Sequence, residues 1–325
     1  MQVEQNIFYD QRHNQCDVYF DSSKQNAPVV LVVHGGAWIF GCKEDMQDIC
    51  KFLVENGCVA IAVDYSLSQM DKTMVQKLLI GELMLLIVLF QLVKSHVFKV
   101  ILLFSTLFLM VHYIVKESTT ESNITQHPDH VMDVASAIEW GYVNAHKYGG
   151  DKDNVFLLGH SSGAHLSCLV TLNRRFLNTK QVPKNVIKGV IAISGPYSFW
   201  RIQQSSVKYF INENVFAITN DIASEAQMDV QDDNKQYWAK IVDAWPNFFQ
   251  HAIDDDTPPF LLLTAGMDWS LLYHARDFAD MLKQANVHVQ VVHFESTTHF
   301  SIRARWSKEN RNVGDVVTKF IHCIA

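Results

Sequence analysis

The sequence predicts an α/β fold, a mostly parallel sheet covered by helices on both faces. Short, wholly apolar runs rich in branched residues alternate along the chain with segments of helical period. Glycines punctuate the boundaries between the two kinds of segment. Taken in order, "PVVLVVHGG" (28–36) reads as a buried strand closing on glycines, and "DMQDICKFLVENG" (45–57) as a helix with a terminal Gly. "CVAIAVDYSL" (58–67) is a second buried run, and "HVMDVASAIEWGYVNAHKYGG" (130–150) a helix with a Gly-Gly stop. "NVFLLG" (154–159) is a third strand, followed by a helix over 162–176. "IKGVIAIS" (187–194) and "PPFLLLTAG" (258–266) are the fourth and fifth runs. A helix over 271–286, a strand "VHVQVVHF" (287–294) and a last helix over 312–324 complete the pattern. Alternation of this kind argues for a parallel sheet, whose sites lie beyond the carboxyl ends of its strands.

Two segments interrupt the rhythm. Residues 196–257 hold eleven aromatics, among them Tyr197, Trp200, Phe216 and Trp245, and read as a few helices capping the sheet edge. They would serve either as ordinary packing or as a hydrophobic wall for a substrate. Residues 72–118 contain two apolar runs, about 83–93 and 100–115, flanking Lys94, His96 and Lys99. A connection of around ten residues would suffice there. A single membrane span would put the two halves of one sheet on opposite sides of a bilayer. Sixteen helical residues reach only about 24 Å, short of a hydrocarbon core of roughly 30 Å. Three readings stand: translated noncoding sequence, a membrane-contacting hairpin, or an apolar lid.

A chain of 325 residues that is 48% hydrophobic is enough for one large domain with a substantial core, or two small ones. The formal net charge of −7 lacks the basic footprint of a nucleic-acid binder. Six cysteines form no CxxC pair and no zinc spacing with histidine, so reduced thiols and no metal are expected. The polar start "MQVEQNIFYD" shows no signal peptide. The expected location is therefore cytoplasmic, with membrane contact through 72–118 as the alternative.

The chemistry concentrates at Gly159-His160-Ser161-Ser162-Gly163. A G-x-S-x-G pattern between strand and helix makes a turn so tight that only glycine fits on either side. The central Ser161 hydroxyl is lifted above the sheet edge. The helix N-terminus beneath it offers N–H groups to a developing negative charge, Ser162 among them. A serine nucleophile needs a base, and the base an orienting acid. Asp268 falls just past the strand 258–266, and His299 in the loop after the strand 287–294. His288 and His293 lie within the strand run, and Asp254–Asp256 precede their strand, at its wrong end. After the first strand, His34-Gly35-Gly36-Ala37-Trp38 provides small residues whose N–H groups can approach an oxyanion. Gly36 and Ala37 are the expected donors, and His34 braces the loop.

With "HGGAWIFG", "GHSSGAHL", "AGMDW" and "TTHFS", the chain resembles the α/β-hydrolase superfamily and, within it, the HGG-motif esterases. The resemblance covers most of residues 15–322, excluding 72–118. The chain order Ser161, Asp268, His299 matches that of the superfamily. The HGGA in place of HGGG departs from one common form, and the insert departs more. Relatives of this look include carboxylesterases, kynurenine formamidases and isoprenylcysteine methylesterases. The resemblance implies a serine hydrolase with an acyl-enzyme intermediate, no cofactor and a small-molecule ester or amide substrate. Arylformamidase activity, and a noncatalytic receptor on the same fold, are the competing readings.

Overall fold

The computed structural model describes residues 1–69, 125–202, 211–216, 239–248, 253–304, 306–307 and 311–325. Eight strands form a sheet: β1 (Gln2–Phe8), β2 (Gln15–Phe20), β3 (Ala27–Val33), β4 (Val59–Val63), β5 (Gly150–His160), β6 (Ile187–Ile193), β7 (Phe260–Met267) and β8 (Val289–Thr298). Their order is β1-β2-β4-β3-β5-β6-β7-β8. From β4 to β8 every neighbour is parallel, whereas β1/β2 and β2/β4 pair antiparallel. Five long helices are described: α1 (Gln47–Glu55), α2 (Asp129–Asn144), α3 (Ser162–Leu172), α4 (Leu271–Gln284) and α5 (Arg311–Ile324).

The central strands are apolar on both faces because both faces are covered. Val30–Val33 of β3 and Leu157–Leu158 of β5 have no exposed surface. On one face α1 and α5 bring Phe52, Val313, Val317 and Ile321 against Val32, Leu158 and Ile191. On the other, Gly141 lets α2 lie close to Leu31 and Ile61, where a Cβ would come within 3.3 Å of Leu31 Cδ1. The strands and helices predicted outside 196–257 are all present, with shifts at their ends, whereas most of the helical cap predicted over 196–257 lies outside the described residues.

The sequence pattern did not disclose β1 and β2. β1 (QVEQNIF) is an edge strand exposed along nearly all its length, so no apolar face marks it. In β2 a buried Asp17 breaks the apolar run. It lies 3.4 Å from the Nζ of Lys43, itself buried. A buried carboxylate is tolerated when paired in this way.

Met1–Ser68 and Thr125–Ala325 cluster as one compact unit, and Gln69–Ile124 as another. Within the first unit the Ser68 hydroxyl donates to the Thr125 carbonyl (2.9 Å) and meets His130 Nε2 (2.9 Å). The insert at 72–118 lies outside the described residues. Among the described residues, no helix is long and apolar enough to cross a membrane.

Candidate active site

The G-x-S-x-G segment sits where β5 passes into α3. Ser161 adopts φ 54°, ψ −119°, a conformation that L side chains rarely hold. Its N–H is fixed by the Ile193 carbonyl at the end of β6 (2.8 Å). Only glycine fits the flanks: a Cβ on Gly159 would sit 2.2 Å from Gly163 O, and one on Gly163 2.3 Å from Val33 O. The chain therefore turns sharply and leaves the Ser161 side chain at the sheet edge, ahead of the α3 N-terminus.

Two loops bring the other predicted side chains to it. Asp268 follows β7 and is buried; His299 follows β8 and is also buried. His299 Nε2 lies 3.0 Å from Ser161 Oγ, and Nδ1 lies 2.5 Å from Asp268 Oδ1. A carboxylate only accepts, so Nδ1 carries the proton and Nε2 accepts from the serine hydroxyl. The second carboxylate oxygen, Oδ2, accepts from Ser194 Oγ (2.6 Å) and from the Ala265 N–H (3.1 Å). The main chain of His299 is held twice, its N–H by Met267 O (2.9 Å) and its carbonyl by His160 Nε2–H (2.8 Å). Burial, then the neighbouring His299, pushes the His160 pKa down to about 3, so its ring is a neutral donor.

The HGG loop closes the other side. Gly36 has φ 127°, and a Cβ there would meet the Phe40 carbonyl. Ala37 and Trp38 follow in the left-handed region at φ 52° and 63°. Gly35 packs against the nucleophile turn, where a Cβ would lie 2.9 Å from Ser161 Cβ. Gly35 is thereby set against Ser161, with Gly36 and Ala37 following it in the chain, and Ser162 opens α3 directly after the nucleophile turn. His34 donates from Nδ1 to the Gly35 carbonyl (2.8 Å) and stacks on Tyr65, with ring centroids 4.3 Å apart. Burial pushes its pKa down to about 4, so it braces the loop uncharged. The Tyr65 hydroxyl lies 3.1 Å from Ser162 Oγ.

Ser161, His299 and Asp268 thus meet in one hydrogen-bonded line, with Ser162 next in the chain and Gly35 of the HGG loop against the same turn. Ser194, His160 and Tyr65 belong to the same network and were not singled out in the sequence for roles there. Ser194 had one signal, its position at the carboxyl end of a buried apolar run. His288 and His293 do not join the network; His293 bonds Thr264 (2.9 Å). Asp254 lies in an exposed turn, paired with Arg174 and Lys184. In the aromatic segment 196–257, Phe216 and Trp245 are buried and pack with Trp38 and His165. Tyr197 stacks on Phe278. These three rings are packing, while Trp200 is exposed.

Among the described residues there is no group of three or more His, Cys, Asp or Glu that could hold a metal ion. The model of the BD-FAE family matches residues 16–76 and 109–280. The chain belongs to that family. The unmatched stretch between the two blocks of this BD-FAE chain lies inside the predicted insert, and His299 falls beyond the second block. The chain is 22% identical over 305 residues to the probable isoprenylcysteine alpha-carbonyl methylesterase ICMEL1 of Arabidopsis thaliana, covering 91% of this chain and 51% of that protein. It is 25% identical over 271 residues to the esterase LipC of Mycobacterium tuberculosis, covering 81% and 50%. The chain thus spans about half the length of these curated relatives. Among solved structures, a phosphonate-inhibited esterase B from Lactobacillus rhamnosis superposes with a TM-score of 0.68 at 13% identity, over 99% of this chain and 85% of that one. That likeness is one of fold, the α/β-hydrolase fold.

Proposed function

We propose that the protein hydrolyses carboxylic esters through an acyl-enzyme formed on Ser161. The observation that carries this reading is the continuous hydrogen-bonded line from Ser161 Oγ through His299 to Asp268, set on a strained strand-to-helix turn. The names of the relatives, esterases and methylesterases, point the same way.

In this reading Ser161 Oγ attacks the ester carbonyl as its proton passes to His299 Nε2. Asp268 holds the ring in the tautomer that can accept, and stabilises the imidazolium that forms. The N–H groups of Gly36, Ala37 and Ser162 take the charge that develops on the carbonyl oxygen, a contribution of about 10²–10³ in rate per donor in comparable sites. Collapse breaks the bond to the alcohol, which leaves with the proton from Nε2. Water then enters, gives a proton to Nε2 and attacks the acyl carbon, and Ser161 departs with that proton restored.

A fluorophosphonate probe tests the reading. It is expected to label the wild-type protein and not Ser161→Ala, with p-nitrophenyl acetate turnover lost in the same variant. Undiminished labelling of Ser161→Ala would remove Ser161 from the role. A rate on N-formylkynurenine far above that on short esters would move the assignment to arylformamidase.

A further inference from the structure

An aromatic corner stands at the mouth of the site and has no part in the steps above. Trp269 is 71% exposed, Phe300 60% and Met267 71%. Single exposed apolar side chains are ordinary, but the rings of Trp269 and Phe300 gather on one residue. The Trp269 ring centroid lies 4.6 Å from that of His299, and the Phe300 ring 5.3 Å from it. The two rings stand 5.8 Å apart at 83°. Met267 accepts the His299 N–H. The corner is held at a cost to the backbone: Trp269 and Ser270 both lie in the left-handed region, at φ 41° and 68°. The turn from Asp268 into α4 explains those dihedrals, since Leu271 N bonds the Asp268 carbonyl (2.8 Å). It does not explain an indole, which gains little burial there and strains where Gly or Asn would relax.

We propose that Trp269 and Phe300 form a subsite for the alcohol side of the substrate, taking a flat aromatic group. This rests on the esterase reading above. The side follows from the proton's path. As the tetrahedral intermediate collapses, the bond between the former carbonyl carbon and the leaving oxygen breaks, and His299 Nε2 hands its proton to that oxygen. The leaving oxygen therefore sits against the imidazole, and the group it carries extends over the rings packed on that imidazole. Two rings set edge to face leave a corner in which a third can stack on one and turn its edge to the face of the other, the two arrangements aromatic pairs prefer.

The test compares kcat/KM for benzyl acetate and propyl acetate, which share an acyl group and have alcohols of similar acidity. Wild type is expected to favour the benzyl ester about tenfold or more. Trp269→Ala and Phe300→Ala are each expected to shrink that ratio several-fold, with Trp269→Phe keeping part of it. Along a series of acyl chains on one alcohol, the order of preference should stay as in wild type. An unchanged benzyl-to-propyl ratio in both alanine variants would overturn the subsite. So would an equal loss on both esters, which is what a mere prop for His299 would give. A second measurement separates this from failure of the esterase reading. Benzyl alcohol titrated into Ser161→Ala should bind and perturb indole fluorescence, and the response should vanish in Ser161→Ala/Trp269→Ala. Such binding, together with no ester turnover by the wild-type protein, would support the aromatic subsite and overturn the reaction assigned to it; no Trp269-dependent binding would overturn the subsite itself.

Discussion

Ser194→Ala removes one hydroxyl and nothing else, and its cost can be worked out from the contacts of Asp268. That carboxylate has three partners: His299 Nδ1 at 2.5 Å, Ser194 Oγ at 2.6 Å and Ala265 N at 3.1 Å. The serine bond is short and charge-assisted, the class worth about 1.5–3 kcal/mol. The carboxylate is buried, so water cannot readily take the place of the lost donor. The stability change should therefore fall near that range. The same loss bears on rate, because Asp268 must hold His299 while the imidazolium forms. If about half the bond's worth is felt at the transition state, kcat drops about four- to twelvefold, since 1.36 kcal/mol is a factor of ten. KM for a small ester should change little, because Ser194 sits behind the carboxylate and not beside the carbonyl. Thermal unfolding and steady-state kinetics on p-nitrophenyl acetate read the two effects separately. A lowered melting temperature with kcat within twofold of wild type would refute the reasoning, because the hydroxyl would then be structural only. Ser194→Thr, which keeps the donor, should recover part of kcat.

Acid should destabilise the fold through histidines that burial keeps neutral. Burial holds His34 at about 4 and His130, His160 and His165 at about 3, well below the usual 6.5. Between 6.5 and those values the unfolded chain binds protons that the folded one does not, so stability is full above 6.5 and falls as pH drops. Each contributes about 1.4 kcal/mol per pH unit in that window, or about 5 kcal/mol for the four, comparable to the lower end of a domain's whole stability. A melting temperature flat from pH 7.5 to 5 would contradict this. Gly163→Ala should give no folded protein, because its Cβ would lie 2.3 Å from Val33 O and 2.4 Å from His34 O. Gly57→Ala, with open space around it and only its φ of 87° opposing, should remain folded by circular dichroism.

What could be read in the sequence follows from what is local in it. The parallel strands announce themselves because burial on both faces leaves no polar position, as in Val30–Val33. Ser161, Asp268 and His299 could be singled out because each directly follows a strand, at the end where such sheets keep their sites. β1 and β2 escaped because an exposed edge and a buried Asp17–Lys43 pair erase the apolar signal. Ser194, Tyr65 and His160 escaped for another reason. Their partners Asp268, Ser162 and His299 are brought near only by the fold, and no spacing encodes such pairs. Composition likewise could not tell a substrate wall from packing among the aromatics of 196–257. Phe216 and Trp245 are fully enclosed, whereas Trp269, outside that segment, faces solvent.

The bond from the Ser68 hydroxyl to the Thr125 carbonyl has a consequence for the history a gene of this kind can have. It pins together the two points where the chain leaves and rejoins the sheet-bearing unit. For a polymer, lengthening a loop whose ends already meet costs little: going from about five residues to about fifty adds only about 2 kcal/mol of closure entropy. Sequence can therefore be gained, lost or rewritten between these two residues across generations while the sheet keeps its register, so this junction is a place where the lineage can experiment cheaply.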